Sequence, residues 1–129
     1  MVKTEPTDHM ITAGAEFVRQ LDSARLEVIA GLWFYETDEE TWRFIVGSPE
    51  VRTRGSNAVY RKIENVLGKL GDARSVFSLG VIRAVKDVDP LLNLLRIAVR
   101  TGPGIHNIRF TRSSVNGHFV EDAYIYRLL

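Results

Sequence analysis

The run Ile108-Arg109-Phe110-Thr111-Arg112-Ser113-Ser114-Val115-Asn116-Gly117-His118-Phe119-Val120-Glu121-Asp122-Ala123-Tyr124-Ile125-Tyr126 decides how the fold is read. Asn116-Gly117 is a two-residue turn in which both members tolerate positive φ, so strands Ile108 to Val115 and His118 to Leu128 are expected to pair around a type I′ turn. The turn sets the register, and the register sets the faces. Val115 should oppose His118, Arg112 Glu121, Thr111 Asp122, Phe110 Ala123, and Arg109 Tyr124. One expected face carries Ile108, Phe110, Phe119, Ala123 and Ile125 with the Arg112–Glu121 pair, and reads as core. The other carries Arg109, Thr111, Ser113, His118, Asp122, Tyr124 and Tyr126, a mixture suited to a solvated surface or a cleft floor.

Working back along the chain, Asp89-Pro90 supplies an N-cap followed by proline in the first turn, a strong helix start. Leu91, Leu92, Leu95, Ala98 and Val99 would be its buried face, and Gly102-Pro103-Gly104 its stop. Val76 to Val85 reads as a strand. Before it, Ser56 or Asn57 caps a helix with Val59, Ile63, Val66, Leu67 and Leu70 inward and Gly71 at its end. Val28 to Tyr35 and Trp42 to Val46 flank the acidic tip Glu36 to Glu40 and read as a second hairpin, with Tyr35 opposite Trp42 and Trp33 opposite Phe44. A first helix fits residues 10 to 25, weakened by Gly14. The order α-β-β-α-β-α-β-β predicts an α+β domain, three helices packed on a mixed sheet of about five strands. Residues 1–9 read as a frayed segment, and 10–129 as the single domain.

Composition narrows the function classes. The 129 residues hold 17 Lys/Arg against 16 Asp/Glu, a formal charge of +1, so strong salt-driven nucleic-acid binding is not expected. There is no cysteine, which excludes disulfides, thiolate metal sites and cysteine nucleophiles. The apolar runs are too short to cross a bilayer, and with the missing cysteines this points to the cytoplasm. His9, His106 and His118 have no metal-ligand spacing, and Asp38, Glu39 and Glu40 read as a solvated tip, so neither metal nor cofactor is expected. Gly68-Lys69 is followed by Leu70, which excludes a Walker loop.

Three groups of residues remain as candidates. Trp33, Tyr35, Trp42 and Phe44 fall on one face of a hairpin apolar on both sides, which suggests either a covered core or a homodimer interface. Arg52 and Arg54 precede a helix N-terminus and could hold an anion there, whereas paired surface arginines are the plainer account. Arg109, Asp122, Tyr124 and Tyr126 share the polar face of the last hairpin and could receive a small anionic ligand; a structural Arg–Asp–Tyr network is the competing account. The leading expectation is a small self-associating binding module. An enzyme acting on a phosphoester, with Asp122 as base, Arg109 as charge stabiliser and Tyr124 as orienting hydroxyl, is the alternative. A nucleic-acid binder, using Arg96, Arg100, Arg109 and Arg112, comes third.

Trp33-Phe34-Tyr35, Trp42 and Ser48-Pro49, taken with Thr101 to Ile105, Ile108-Arg109-Phe110, Asn116-Gly117 and Glu121 to Arg127, resemble a group of small uncharacterised bacterial proteins. The resemblance implies a bacterial domain of unknown function and assigns no reaction.

Overall fold

The Asn116-Gly117 turn has φ of 50° and 83° at its two central residues, as a type I′ turn requires, in a computed structural model that describes residues 5–78 and 80–129. It joins β4 (Ile108–Val115) to β5 (His118–Leu128) with Val115 opposite His118 and Arg109 opposite Tyr124, in the predicted register. The other hairpin, β1 (Ala30–Glu36) and β2 (Thr41–Gly47), pairs Tyr35 with Trp42 and Trp33 with Phe44, again as predicted. β5 lies antiparallel to β1, and β3 (Ile82–Val85) runs parallel to β2. Among the described residues these five strands form one mixed sheet in the order β3-β2-β1-β5-β4.

Helices cover both faces. On one side lie α1 (Asp8–Ser23), α3 (Ser56–Leu67) and a 3-10 segment (Gly71–Val76), enclosing Phe17, Val18, Leu21, Trp33, Phe44, Ile63, Phe77 and Tyr126. Trp33 stacks on Phe77 at 5.5 Å and meets Phe44 edge-on at 5.1 Å; such ring pairs each add about 0.5–1.5 kcal/mol beyond their buried area. On the other side α4 (Pro90–Ala98) sets Leu92 and Leu95 against Leu32, Ile45, Ala123 and Ile125. Asp89 caps α4 by accepting the Leu91 N–H at 3.0 Å. The hairpin that is apolar on both faces is therefore a central pair of strands with a helix layer on each side.

Several expectations are corrected. α1 starts at Asp8, two residues before the expected Met10, with the Thr7 hydroxyl accepting the Met10 N–H and Pro6 buried. A short helix α2 (Glu50–Arg54) precedes α3, which has no side-chain cap from Ser56 or Asn57 and begins after Gly55. Of the strand expected over Val76 to Val85, Val76 closes the 3-10 segment and only Ile82–Val85 is a strand, with residue 79 outside the described residues. Gly14, an apparent weakness in α1, is a packing notch: a Cβ there would lie 2.7 Å from ring carbons of Tyr126.

The last hairpin also departs from simple alternation. Arg112 takes a φ of 43°, and the ladder passes from Thr111–Asp122 to Ser113–Val120 without a pair between them. Beyond this irregularity the pleat changes sides. Val120 packs into the α4 core, while Phe119, expected in the core, is 60% exposed.

Candidate functional site

The register brings Arg109, Asp122, Tyr124 and Tyr126 to the side of the sheet that faces α1, but their environments differ. Tyr126 is a core residue. It is fully buried, donates its hydroxyl to the Ile11 carbonyl at 2.6 Å, and stacks on Phe44 at 6.0 Å. Burial above all, and the nearby Tyr124 phenol, push its pKa above the ordinary phenol range. As a ligand-binding residue it is therefore corrected: α1, held close by Gly14, roofs it. Tyr124 is half-buried, and its hydroxyl donates to the Asn107 side chain at 3.0 Å.

Arg109 and Asp122 form the pair that diagonal strand positions allow. The arginine Nε donates to Asp122 Oδ1 at 2.7 Å and one terminal nitrogen to Oδ2 at 2.6 Å, a two-pronged contact in which each oxygen receives one N–H. Asp122 is 0% exposed, whereas the Arg109 side chain is 37% exposed. The same terminal nitrogen also donates to the Glu5 carboxylate. The Arg109 pKa is raised chiefly by the Asp122 hydrogen bond, against the opposing cost of burial, with a further contribution from Glu5.

Beside this pair lies a recess of about 300 Å³ lined by Glu5, Arg109, Thr111 and Arg112. Arg112 reaches it because of its left-handed backbone, which takes the side chain off the core face where strict alternation would put it. Its guanidinium is 74% exposed and sits 3.6 Å from Glu121, a loose pairing. The recess thus presents one fixed cation, one exposed cation and a hydroxyl. It also holds a carboxylate delivered from a segment 104 residues away in sequence.

The other candidates are not brought together as sites. Arg52 and Arg54 lie on α2 rather than at the start of α3, and each faces an acid: Arg52 meets Asp87 at 3.1 Å, and Arg54 meets Glu50 at 3.5 Å. The bond from Arg52 is also the main reason the Asp87 pKa is lowered. Of the aromatic set, Trp33 (1% exposed), Tyr35 (8%) and Phe44 (0%) are sealed within the chain, and Trp42 is partly buried against Tyr35. Trp33, Tyr35 and Phe44 therefore belong to the core that α1 and the 3-10 segment cover, the first of the two accounts the sequence left open. The acidic tip has a structural use as well, since Glu36 and Glu39 both bind Arg43. Among the described residues, no three His, Cys, Asp or Glu side chains are grouped closely enough to hold a metal ion. Among the described residues, no helix is long and apolar enough to cross a membrane.

Two contributors escaped the sequence reading. Glu5 carried no signal, since it lies in an unpatterned polar segment. Arg127 did carry one, a cation within the apolar run Ala123 to Leu128. It is buried, with four hydrogen bonds: two to Asp22, one to the Val28 carbonyl and one to the Gly104 carbonyl. The chain matches no family model, no curated protein and no solved structure.

Proposed function

We propose that this chain is a small cytoplasmic binding module for an oxyanion-bearing ligand, a phosphate or carboxylate, seated at Arg109, Thr111 and Arg112. The observation that carries this reading is the locking of Arg109 onto a fully buried Asp122, which leaves one edge of the guanidinium turned to a recess. A guanidinium already fixed in place loses little freedom on binding, and its planar fork suits an oxyanion. That an acidic side chain already lies on this edge supports the match in chemistry. Catalysis is less well supported. A general base must reach the substrate, and Asp122 is sealed beneath Arg109 while the Tyr124 hydroxyl is engaged by Asn107. A nucleic-acid surface gains little, because Arg52 on α2 faces Asp87 rather than extending an arginine stripe.

Isothermal titration with inorganic phosphate and pyrophosphate, at fixed ionic strength, tests the proposal. Arg112→Gln should weaken binding by about tenfold, equivalent to about 1.4 kcal/mol, with an unchanged melting temperature. Absence of saturable binding in the wild type, or full binding by the variant, would refute it.

Self-association is a second reading, with its surface moved to α4. Ile97 is 64% exposed, and with Leu91 and Leu94 it borders a groove of about 520 Å³ against Asn116 and His118. Light scattering of the wild type and of Ile97→Glu tests it: a monomer at all concentrations removes this reading.

A further inference from the structure

We infer that Glu5 is a tethered competitor for the seat on Arg109, so that an incoming ligand must displace a carboxylate the protein itself supplies. The inference rests on the oxyanion reading above and adds the element that sets its threshold. Glu5 bonds the terminal guanidinium nitrogen on the recess side, and its own side chain is 63% exposed. The chain just after it is fixed: Pro6 is buried, and the Thr7 hydroxyl caps α1 by accepting the Met10 N–H at 3.0 Å. Displacement therefore needs rotation of one side chain, with no unfolding of the strap that carries it.

The energies are matched for such a switch. An ion pair between two partly exposed groups is weak and screened by water, so it opens readily. Tethering nonetheless gives the Glu5 carboxylate an effective concentration in the millimolar range. A free monocarboxylate at lower concentration competes poorly against that. A phosphate or a dicarboxylate brings a second negative charge that a single glutamate lacks, and the recess offers it a second cation in Arg112. The ligand class favoured by this arrangement is a dianion. Thr111 supplies a hydroxyl that can donate to it.

Phosphate and acetate titrations of the full chain, comparing wild type, Glu5→Gln and Asp8→Asn, test the inference. Asp8 lies in the first turn of α1, and its amide changes net charge by the same amount as that of Glu5. Removing a competitor should tighten both ligands together by about two- to fivefold in Glu5→Gln, with Asp8→Asn close to wild type. Equal affinities in wild type and Glu5→Gln, or the same gain in both variants, would overturn the competitor role while leaving an Arg112-dependent site intact. Weaker binding in Glu5→Gln would also overturn it, by making Glu5 a part of the seat. If no variant binds either anion, the oxyanion reading itself falls and this inference falls with it.

Discussion

Replacing Arg109 by alanine should destabilise the fold by about 3–5 kcal/mol, the cost of leaving one member of a buried charge pair without its partner. Nearly all of that loss comes from Asp122, which is 0% exposed and gives up two short charge-assisted bonds. The Arg109 side chain is 37% exposed, so its contact with Glu5 is screened, and Glu5→Gln should cost less than about 1 kcal/mol. The assay is urea unfolding followed by tryptophan fluorescence, from Trp33 stacked on Phe77 in the core and Trp42 against Tyr35. An unchanged slope with denaturant would show that stability, and not compactness, has moved. The melting temperature should fall by about 10–20 °C for a domain of this size. Asp122→Ala in the Arg109→Ala background should restore part of the loss, giving a coupling of about 2–3 kcal/mol in the cycle. A loss below about 1 kcal/mol, or two single losses that merely add, would refute the view that Arg109 supports a buried carboxylate.

Three further outcomes follow from the packing. Gly14→Ala should lower stability by about 1–2 kcal/mol despite the helix propensity gained, because the new methyl meets the Tyr126 ring at 2.7 Å; a rise in melting temperature would show that the ring can yield. The Glu50 carboxyl is held below its usual 4.5 first by the Glu27 backbone N–H, then by Lys62 and Arg54. Its stabilisation is present above that value and lost as pH falls through the lower folded one, so Glu50→Gln should flatten the acid limb of the stability curve below pH 4.5. An unchanged limb would assign acid unfolding to other groups. The Tyr60 hydroxyl accepts the Ala84 N–H at 2.9 Å along the outer edge of β3. Tyr60→Phe should cost about 1 kcal/mol and raise concentration-dependent scattering by baring that edge; a variant with the stability and scattering of the wild type would show the bond to be dispensable.

The parts of the fold that could be read from sequence are those fixed by local chemistry. Asn116-Gly117 dictated one register, and the spacing between Tyr35 and Trp42 dictated the other. Asp89-Pro90 marked the start of α4 for the same reason. What alternation could not supply was the layer on top. Arg109 and Tyr126 occupy one side of the sheet as expected, yet one borders a recess and the other lies under α1, because Gly14 lets the helix approach only over the second. The hairpin with two apolar faces was ambiguous until α4 was placed, since coverage by a helix some sixty residues away in sequence is a long-range fact. Arg112 gave no warning: nothing in Thr-Arg-Ser favours positive φ, and the side chain was assigned to the core face for that reason.

The two arginine–aspartate pairs show why burial, and not residue type, separates a scaffold from a candidate site. Arg127 and Arg109 each grip a carboxylate with two nitrogens. In the sequence both are cations within β-rich runs. The Arg127 side chain is 8% exposed, and two further N–H groups donate to the Val28 and Gly104 carbonyls, so it joins the end of α1 to the approach to β1 and the turn before β4. Its exposed member is the acid, Asp22, at 41%. In the other pair the order is reversed: the acid is sealed and the cation faces outward. A buried cation held by an outer acid turns negative charge to solvent and offers an anion nothing. An outward cation held by a buried acid has its orientation fixed from below and its charge presented above, and on this chain that is where Glu5 has settled.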